Sequence, residues 1–265
     1  MGGKEGLARV LCYNITPLLH LSITPRLAIT SEDIGRGGAS KKRSLMVKHS
    51  LGLAIFDIDG TLRRVRDPWI HLHNHLGVAD LAKDFPARWQ KGEISYDEWA
   101  ELDAALWRGY SRENIVEALE LNPFRAGARE LVDWFNSRSI PCVGISSGLS
   151  VFNDVTAAEL KIKEIISNEL HFEGDICNGK IAIHVNEENK GRVMDEVLQR
   201  YRITEQQVVA FGDGTADIPL LAKAGLGVAI CPSSEMVIFS AGHVVGDEPI
   251  DRVLPIVEKY FKVGG

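Results

Sequence analysis

Short apolar runs alternate with amphipathic stretches along most of the chain. A continuous apolar run of this length is typical of a strand that is buried on both faces of a parallel sheet. The predicted strands are residues 51–56, 140–145, 208–211, 226–230 and 243–245. The predicted helices, whose apolar residues recur every three or four positions, are residues 126–137, 150–160, 190–201 and 217–224. The alternation predicts an α/β fold with a doubly wound parallel sheet.

Two segments depart from this alternation. Residues 68–122 have helical periodicity and no strand pattern, which indicates a helical insertion. The predicted domains are therefore a core, residues 46–64 and 124–265, and a small helical cap, residues 65–123. In residues 170–185 apolar and polar positions alternate on either side of Asn178-Gly179, a dipeptide that favours tight turns. We predict a β-hairpin there.

Residues 1–45 differ from the rest of the chain, with a polar stretch at 31–38 and a basic cluster at 41–43. Their apolar part is interrupted by Pro17 and Pro25, which do not suit a helix. Three interpretations remain open: a flexible, disordered extension, a start assigned too far upstream with Met46 as the true first residue, or a targeting peptide. We predict no function for this segment.

Composition narrows the class of protein. The 265 residues are 45% hydrophobic and 25% charged, in the range of soluble globular proteins, with 30 Lys and Arg against 36 Asp and Glu. No long block of one charge and no apolar run of about 20 residues occurs, so neither a nucleic-acid nor a membrane partner is predicted. The four cysteines, Cys12, Cys142, Cys177 and Cys231, form no CxxC pair, which favours a reducing cytoplasm over a disulfide framework or a zinc site.

Two carboxylates directly follow the first predicted strand, in Phe56-Asp57-Ile58-Asp59-Gly60-Thr61. Ligands of open α/β sheets bind at the carboxyl ends of strands. Gly60 permits a turn that redirects Asp59 away from Asp57. The arrangement suits a nucleophile and a proton donor.

Three more polar groups follow later elements. Ser146-Ser147-Gly148 follows the second strand and offers a hydroxyl and backbone N–H groups to a phosphate. Lys190 opens a helix, and by itself is unremarkable. Asp213 and Asp217, in Gly-Asp-Gly-Thr-Ala-Asp, follow the predicted strand 208–211 and are four residues apart, which suits a hard-oxygen Mg²⁺ site beside the first carboxylate pair.

In this order the motifs resemble those of the haloacid dehalogenase (HAD) superfamily, over residues 50–262, and the phosphoserine phosphatase-like branch in the helical insertion. The resemblance implies that Asp57 is the nucleophile and Asp59 the general acid/base. It implies that Ser146, Ser147 and Lys190 bind phosphoryl oxygens. It also implies that Mg²⁺ is bound by Asp57, Asp59 through its backbone carbonyl, and Asp213, with Asp217 in support. The expected activity is hydrolysis of a small phosphorylated metabolite, with phosphoserine as a candidate, through an aspartyl-phosphate.

The chain departs from that branch at its substrate positions. Phosphoserine phosphatases have a glutamate after the first motif and an arginine in the cap, and an ungapped alignment puts Arg66 and Asp103 there. We predict that these two residues determine specificity. The fourth motif has Ala216 where the branch usually has Asn. Two other functions stay open: a phospho-ligand binding protein without catalysis, and a phosphotransferase or other hydrolase that uses the same Asp nucleophile.

The aromatic and histidine residues of the insertion carry weaker signals. Trp69, Trp99 and Trp107 are predicted to pack in the core of the cap rather than to stack on a substrate. His71, His73 and His75 cannot share one face of a helix, so they are predicted to be surface or substrate-side residues and not a metal cluster.

Overall fold

A computed structural model describes residues 48–264 of the chain. Its centre is a seven-stranded sheet with the order β4-β3-β2-β1-β5-β6-β7, in which every neighbouring pair is parallel except β3 with β4. The strands are β1 (Leu53–Phe56), β2 (Cys142–Leu149), β3 (Glu164–Glu173), β4 (Ile176–Ala182), β5 (Val208–Gly212), β6 (Leu226–Ile230) and β7 (His243–Val245). The predicted doubly wound α/β fold is confirmed.

Eleven α-helices connect or flank these strands within the described residues. Those that precede β2 are α1 (Pro68–His75), α2 (Ala79–Ala82), α3 (Phe85–Gln90), α4 (Tyr96–Leu106), α5 (Arg112–Glu117) and α6 (Ala128–Ser137). Those that follow are α7 (Ser150–Leu160), α8 (Lys190–Tyr201), α9 (Ile218–Lys223), α10 (Glu235–Ser240) and α11 (Leu254–Tyr260). Among residues 48–264 no helix combines the length and the apolar character that a membrane span requires.

Side chains of β1 separate the core into two halves. Ala54 and Phe56 pack on one face of the sheet, where the Phe56 ring stacks on Phe211 at a centroid distance of 4.8 Å. Leu53 and Ile55 pack on the other face. Because strand side chains alternate between faces, a strand that is apolar at every position is buried on both sides, as its sequence predicted.

The predicted hairpin exists, but its turn is not at Asn178-Gly179. Glu173 pairs with Ile176, so the turn consists of Gly174 and Asp175, and Gly174 has the positive φ of 59° that such a turn requires at its first central position. Gly179, with a φ of 75°, instead lies in a bulge of β4. Both glycines carry the same local signal, and only the pairing with β3 distinguishes them.

Residues 68–121 form the helical insertion between β1 and β2. Its apolar side chains, Leu72, Ala104, Trp107 and Ile115 among them, form a third cluster together with Leu149 and Leu170 of the sheet. The assignment of this insertion as a separate cap domain stays a prediction. Residues 1–45 lie outside the described part of the chain.

Candidate active site

The predicted carboxylates meet at the carboxyl ends of neighbouring strands. Asp57 follows β1 and Asp213 follows β5, and these two strands are paired in parallel. The backbone N–H of Asp57 donates to the carbonyl of Phe211 at 2.9 Å, which fixes the two loops relative to each other. Asp57, Asp213 and Asp217 each offer a carboxylate oxygen within 4.8 Å of the others, and all three residues are buried.

Lys190 neutralises part of this cluster. Its Nζ donates to Oδ1 of Asp57 and to Oδ1 of Asp217, each at 2.6 Å, and the lysine is only 1% exposed. Lys190 is the first residue of α8, so the start of this helix positions the ammonium group. The other Asp57 oxygen, Oδ2, is buried and has no hydrogen-bond partner in the described part of the chain.

Asp217 has both of its carboxylate oxygens in use. Its Oδ1 accepts from Lys190, and its Oδ2 accepts from the backbone N–H groups of Asp213 and Gly214 at 2.9 Å each. Asp217 therefore holds the loop after β5 and the ammonium group of Lys190. The Asp217 carboxylate lies within metal-binding distance of the other two. The carboxylate oxygens of Asp57 and Asp213 form fewer hydrogen bonds and are therefore more available to an ion.

Asp59 points away from that cluster and towards β2. Its Oδ2 accepts a hydrogen bond of 2.9 Å from the Ser146 hydroxyl, which itself accepts from the Gly148 backbone N–H at 2.9 Å. A Cβ atom at Gly148 would collide with the Asp59 carboxylate, so the contact requires glycine there. The turn at Gly60, with a φ of 90°, separates Asp59 from Asp57 as the sequence predicted.

Ser147 contributes to the same region mainly through its backbone. Its carbonyl accepts from Nε1 of Trp69 at 3.1 Å and from Nδ2 of Asn168 at 2.9 Å. Both serines lie in the last part of β2, which continues past the end that the sequence predicted, where the register with β3 shifts. No contact within residues 48–264 assigns the two serines to phosphate binding, so that role stays a prediction.

Asp213 has two neighbours from the first loop. The Thr61 hydroxyl donates to its Oδ1 at 3.3 Å, and Nε of Arg66 lies 3.4 Å from its Oδ2. Arg66 also donates to the carbonyl of Cys231. Thr61 was not singled out by sequence, although it stands inside the first motif.

Burial and mutual repulsion raise the pKa values of the carboxylates in this site. Burial raises the pKa of Asp57 from 3.8 to about 6, and the Asp217 charge adds to this shift while Lys190 opposes it. Burial, and then the Asp57 charge, raises the pKa of Asp59 from 3.8 to about 7. Burial also raises the pKa of Asp213 well above its usual value, with contributions from Asp57 and Asp217.

Lys190 behaves in the opposite way. Burial alone would lower its pKa, but the charges of Asp217 and Asp57 outweigh burial and raise the pKa above its usual value. The group is therefore a permanent cation. One ammonium and the Arg66 guanidinium face four carboxylates, so the site has excess negative charge.

The residues present fit a divalent cation. The available donors are carboxylate oxygens, which are the hard ligands that Mg²⁺ prefers. The partnerless Oδ2 of buried Asp57 and the nearby Asp213 carboxylate are what such an ion would bind. Side-chain oxygens of Asp59 do not belong to this group, which leaves only its backbone carbonyl for the predicted metal contact.

The two predicted specificity residues, Arg66 and Asp103, line one cavity of about 230 Å³. They do not contact each other in the hydrogen bonds and ion pairs found for residues 48–264: Arg66 binds Asp213, and buried Asp103 accepts from Nε2 of His73 at 2.8 Å. The cavity lies among α1, α3, α4 and the end of β2, next to Ser147.

The tryptophans divide between core and cavity. Trp107 is fully buried and packs in the core of the insertion, as predicted. Trp69 and Trp99, predicted to be core residues, are half-buried and line the cavity together with Trp89. Trp69 also packs against the core, with its ring 5.4 Å from that of Trp107 between centroids. Of the two positions predicted for His73, the surface is wrong: the residue is buried beside Trp107, and it lines the same cavity. The helical periodicity of these residues could not distinguish a wall of a cavity from a packed core.

Comparison with known proteins identifies the family. The model of the haloacid dehalogenase-like hydrolases matches residues 54–222, and the chain belongs to this family. The phosphoserine phosphatase of Archaeoglobus fulgidus is 30% identical over 180 residues, which cover 67% of this chain and 52% of that protein. The chain thus spans about half the length of this archaeal relative.

Other relatives match over nearly their whole length. The phosphoserine phosphatase of Streptococcus thermophilus is 25% identical over 213 residues, covering 80% of this chain and 98% of that protein. A solved structure, the phospho-aspartyl intermediate analogue of phosphoserine phosphatase, has a TM-score of 0.66 at 21% identity, covering 80% of this chain and 100% of that one. The latter similarity shows a shared fold. The predicted resemblance to the phosphoserine phosphatase-like branch is confirmed.

Proposed function

We propose that the chain is a Mg²⁺-dependent phosphomonoester hydrolase that uses Asp57 as its nucleophile. The observation that carries the proposal is the state of the Asp57 carboxylate. Lys190 fixes one oxygen at 2.6 Å, and the other is buried beside Asp213 with no hydrogen-bond partner among residues 48–264. A carboxylate held in this way has one oxygen oriented and the other free to react or to bind a cation.

Asp57 would attack the phosphorus of the ester. The bond between phosphorus and the leaving oxygen breaks while the aspartyl-phosphate bond forms, and the leaving alkoxide needs a proton. Asp59 is positioned to provide it, because its raised pKa of about 7 keeps it partly protonated near neutrality. In the second step Asp59 takes a proton from water, which attacks phosphorus and releases inorganic phosphate and Asp57.

The remaining polar groups would hold the phosphoryl group. Lys190 supplies a buried positive charge, and Ser146 orients Asp59 through its hydroxyl. Mg²⁺, when bound, would neutralise phosphoryl charge and orient the ester. Asp57, Asp213 and the Asp59 carbonyl would hold the ion, while Asp217 would fix Lys190 and the loop after β5.

The substrate would be a small phosphorylated metabolite. Phosphoserine is the first ester to test, because the relatives described above are phosphoserine phosphatases. A cytoplasmic location stays a prediction from the cysteine pattern; Cys142, Cys177 and Cys231 are free thiols in the structure.

The test is phosphate release from p-nitrophenyl phosphate and a panel of alkyl phosphates. We expect turnover that disappears when EDTA removes the metal and returns with Mg²⁺. The Asp57→Asn variant should be inactive, whereas Asp133→Asn, which changes an exposed aspartate on α6, should be fully active. Equal rates for wild type and Asp57→Asn would refute the proposal.

A phospho-ligand binding protein without catalysis is the second candidate. It is favoured by Arg66, whose guanidinium lies 3.4 Å from Asp213, where it competes with a metal ion for the same carboxylate. The same assay decides between the two. Phosphate esters that protect the protein from unfolding but are not hydrolysed at any Mg²⁺ concentration would support this second candidate.

A further inference from the structure

The cavity beside the carboxylate cluster has aromatic walls. Trp69, Trp89, Tyr96 and Trp99 line it, and each is half-buried. The rings of Trp89 and Trp99 lie 5.3 Å apart between centroids at 37°, and those of Tyr96 and Trp99 lie 6.3 Å apart at 67°. The cavity is therefore lined by four aromatic rings from three helices, and three of these rings contact one another.

The charged groups of this cavity are mostly acidic. Asp67, Asp103 and Glu187 line it, and Arg66 is the only Lys or Arg among its lining residues within the described part of the chain. Arg66 is already paired with Asp213 and with the Cys231 carbonyl. Tyr96 responds to the excess of negative charge: burial raises its pKa, and Glu187, Asp67 and Asp103 raise it further.

Among the described residues, the partner of the Asp103 carboxylate is His73, and no Lys or Arg forms an ion pair with it. Nδ1 of His73 accepts a hydrogen bond from Nε1 of Trp107 at 3.1 Å, so the proton of the imidazole must be on Nε2. Nε2 then donates to Asp103 at 2.8 Å as a neutral group. Asp103 is 3% exposed, and burial raises its pKa. A ligand cation that reached this carboxylate would restore the balance of charge.

The cavity also adjoins the reacting groups. Ser147, which lines it, directly follows Ser146, the hydrogen-bond partner of Asp59. Arg66 lines it and contacts Asp213. A phosphoryl group at Asp57 would therefore direct its leaving group towards the aromatic rings.

We propose that this cavity binds a cationic leaving group, so that the preferred substrate is the phosphate monoester of an amino alcohol, with a primary or quaternary ammonium group on a short carbon stem. The proposal rests on the proposed function of the same site. Aromatic faces attract ammonium groups through the ring quadrupole, most strongly when water is excluded, and the carboxylates add their charge. The alcohol needs no carboxylate of its own.

An amino acid phosphate fits this cavity less well. The carboxylate of phosphoserine would have to face Asp67, Asp103 and Glu187, with one guanidinium that is already paired. Like charges repel one another in a partly desolvated space. The chemistry of the walls therefore favours an ester with the ammonium group alone.

The test compares two pairs of esters whose alcohols differ in charge. Choline phosphate is isosteric with 3,3-dimethylbutyl phosphate, in which carbon replaces the quaternary nitrogen, and ethanolamine phosphate differs from phosphoserine by the carboxylate. We expect kcat/KM to be at least about tenfold higher for choline phosphate than for 3,3-dimethylbutyl phosphate, and at least about tenfold higher for ethanolamine phosphate than for phosphoserine. A neutral isostere that reacts as fast as choline phosphate, or phosphoserine that reacts faster than ethanolamine phosphate, overturns the proposal.

Variants assign the effect to this cavity. Trp89→Leu and Asp103→Asn should each reduce the ratio of kcat/KM between choline phosphate and its neutral isostere. Trp134→Leu, on α6, and Glu101→Gln, on the exposed side of α4, are matched controls that should keep the wild-type ratio. If the ratio is unchanged in both cavity variants, the cation binds elsewhere and the proposal is wrong.

A binding experiment separates this proposal from the proposed function. The Asp57→Asn protein should bind free choline with quenching of tryptophan fluorescence, and Trp89→Leu in the same background should weaken this binding. Wild type that hydrolyses p-nitrophenyl phosphate but shows neither choline binding nor a preference for cationic esters refutes only the cavity proposal. Choline binding by a protein that hydrolyses no ester refutes the proposed hydrolase, and with it the substrate preference, but not the binding of a cation by this cavity.

Discussion

At the scale of single residues, the geometry of the site depends most on the two ion pairs of Lys190. It joins Asp57, from the loop after β1, to Asp217, from the loop after β5. These residues are far apart in sequence and would repel each other if they met without a cation. A buried ion pair adds little net stability, but the loss of one partner leaves charge that nothing compensates.

Lys190→Met should therefore cost about 3–5 kcal/mol of unfolding free energy at neutral pH and abolish activity. Part of that cost should disappear at low pH, where the carboxyl groups take up protons. Urea unfolding followed by two spectroscopic probes measures the cost. Lys223→Met is the control, since its half-exposed pair with Asp195 should contribute no more than about 1 kcal/mol. Equal stability of the two variants would contradict the importance of the buried cation.

Gly60 is the second such residue, because the backbone and its surroundings require glycine at this position. Its φ is 90°, and a Cβ atom there would collide with the Asp213 carboxylate. Gly92 offers a matched comparison because its φ is 71° and an added Cβ would meet nothing within 4 Å.

Gly60→Ala and Gly92→Ala should each lose about 1–2 kcal/mol of stability, from the left-handed backbone alone. Only Gly60→Ala should also displace Asp213, with a fall in kcat/KM of about a hundredfold and a weaker response to Mg²⁺. Steady-state kinetics over a series of Mg²⁺ concentrations tests this. Normal metal dependence in Gly60→Ala would show that the carboxylate moves aside without consequence.

At the scale of elements, the sequence predicts what local pattern determines. β6 and β7, and the helices α7 and α8, have the bounds that periodicity predicted. β2 continues through Ser146 and Ser147 because β3 pairs with its end after a register shift, which no local pattern encodes. The predicted position of the hairpin turn is wrong for a similar reason. Gly174 and Gly179 are both glycines beside a polar residue, and only the pairing with β3 determines which of them lies in the turn.

The candidate site likewise has a part that local sequence predicts and a part that it does not. Asp57, Asp59, Asp213 and Lys190 follow strands or open a helix in recognisable motifs, and the sheet brings strand ends together. The cavity is different, because its rings come from three helices whose packing determines which face is lined and which is filled. Trp69 and Trp107 show the difference: both stand at helical spacing, yet only Trp107 is fully buried.

Asn168 of β3 ties three segments together behind the site. Its amide donates to the carbonyls of Ser147 and Val185, and its Oδ1 accepts from the backbone N–H groups of His184 and Val185. The residue is completely buried. It therefore holds the end of β2 against the segment that leads to Lys190.

Asn168→Ala should cost about 3 kcal/mol or more, because it leaves buried backbone groups unpaired. It should also raise KM, since the end of β2 would no longer be fixed. Asn178→Ala on β4, whose Oδ1 accepts from the Lys180 N–H in an exposed bond, is the matched control and should stay within about 1 kcal/mol of wild type. Chemical unfolding and kinetics of both variants test this, and a stable Asn168→Ala enzyme with unchanged KM would contradict it.

At the scale of the whole molecule, the site makes folding depend on pH. In the metal-free protein the pKa values of Asp57 and Asp59 rise from 3.8 to about 6 and about 7. Between pH 4 and pH 7 the folded state therefore binds more protons at these groups than the unfolded state does. Unfolding free energy must then fall as pH rises through this window, since its slope follows the protons bound by the unfolded minus the folded state.

We expect this fall in urea unfolding of the metal-free protein at a series of pH values, and a smaller one in Asp57→Asn, which removes one of the titrating groups. Mg²⁺ binds the deprotonated carboxylates of the folded state, so it should stabilise the protein more at pH 7 than at pH 5. The difference between wild type and Asp57→Asn isolates the site from the other titrating groups of the chain. If that difference does not change between pH 4 and pH 7, or if Mg²⁺ stabilises both proteins equally, Asp57 is neither a strained carboxylate nor a ligand of the ion.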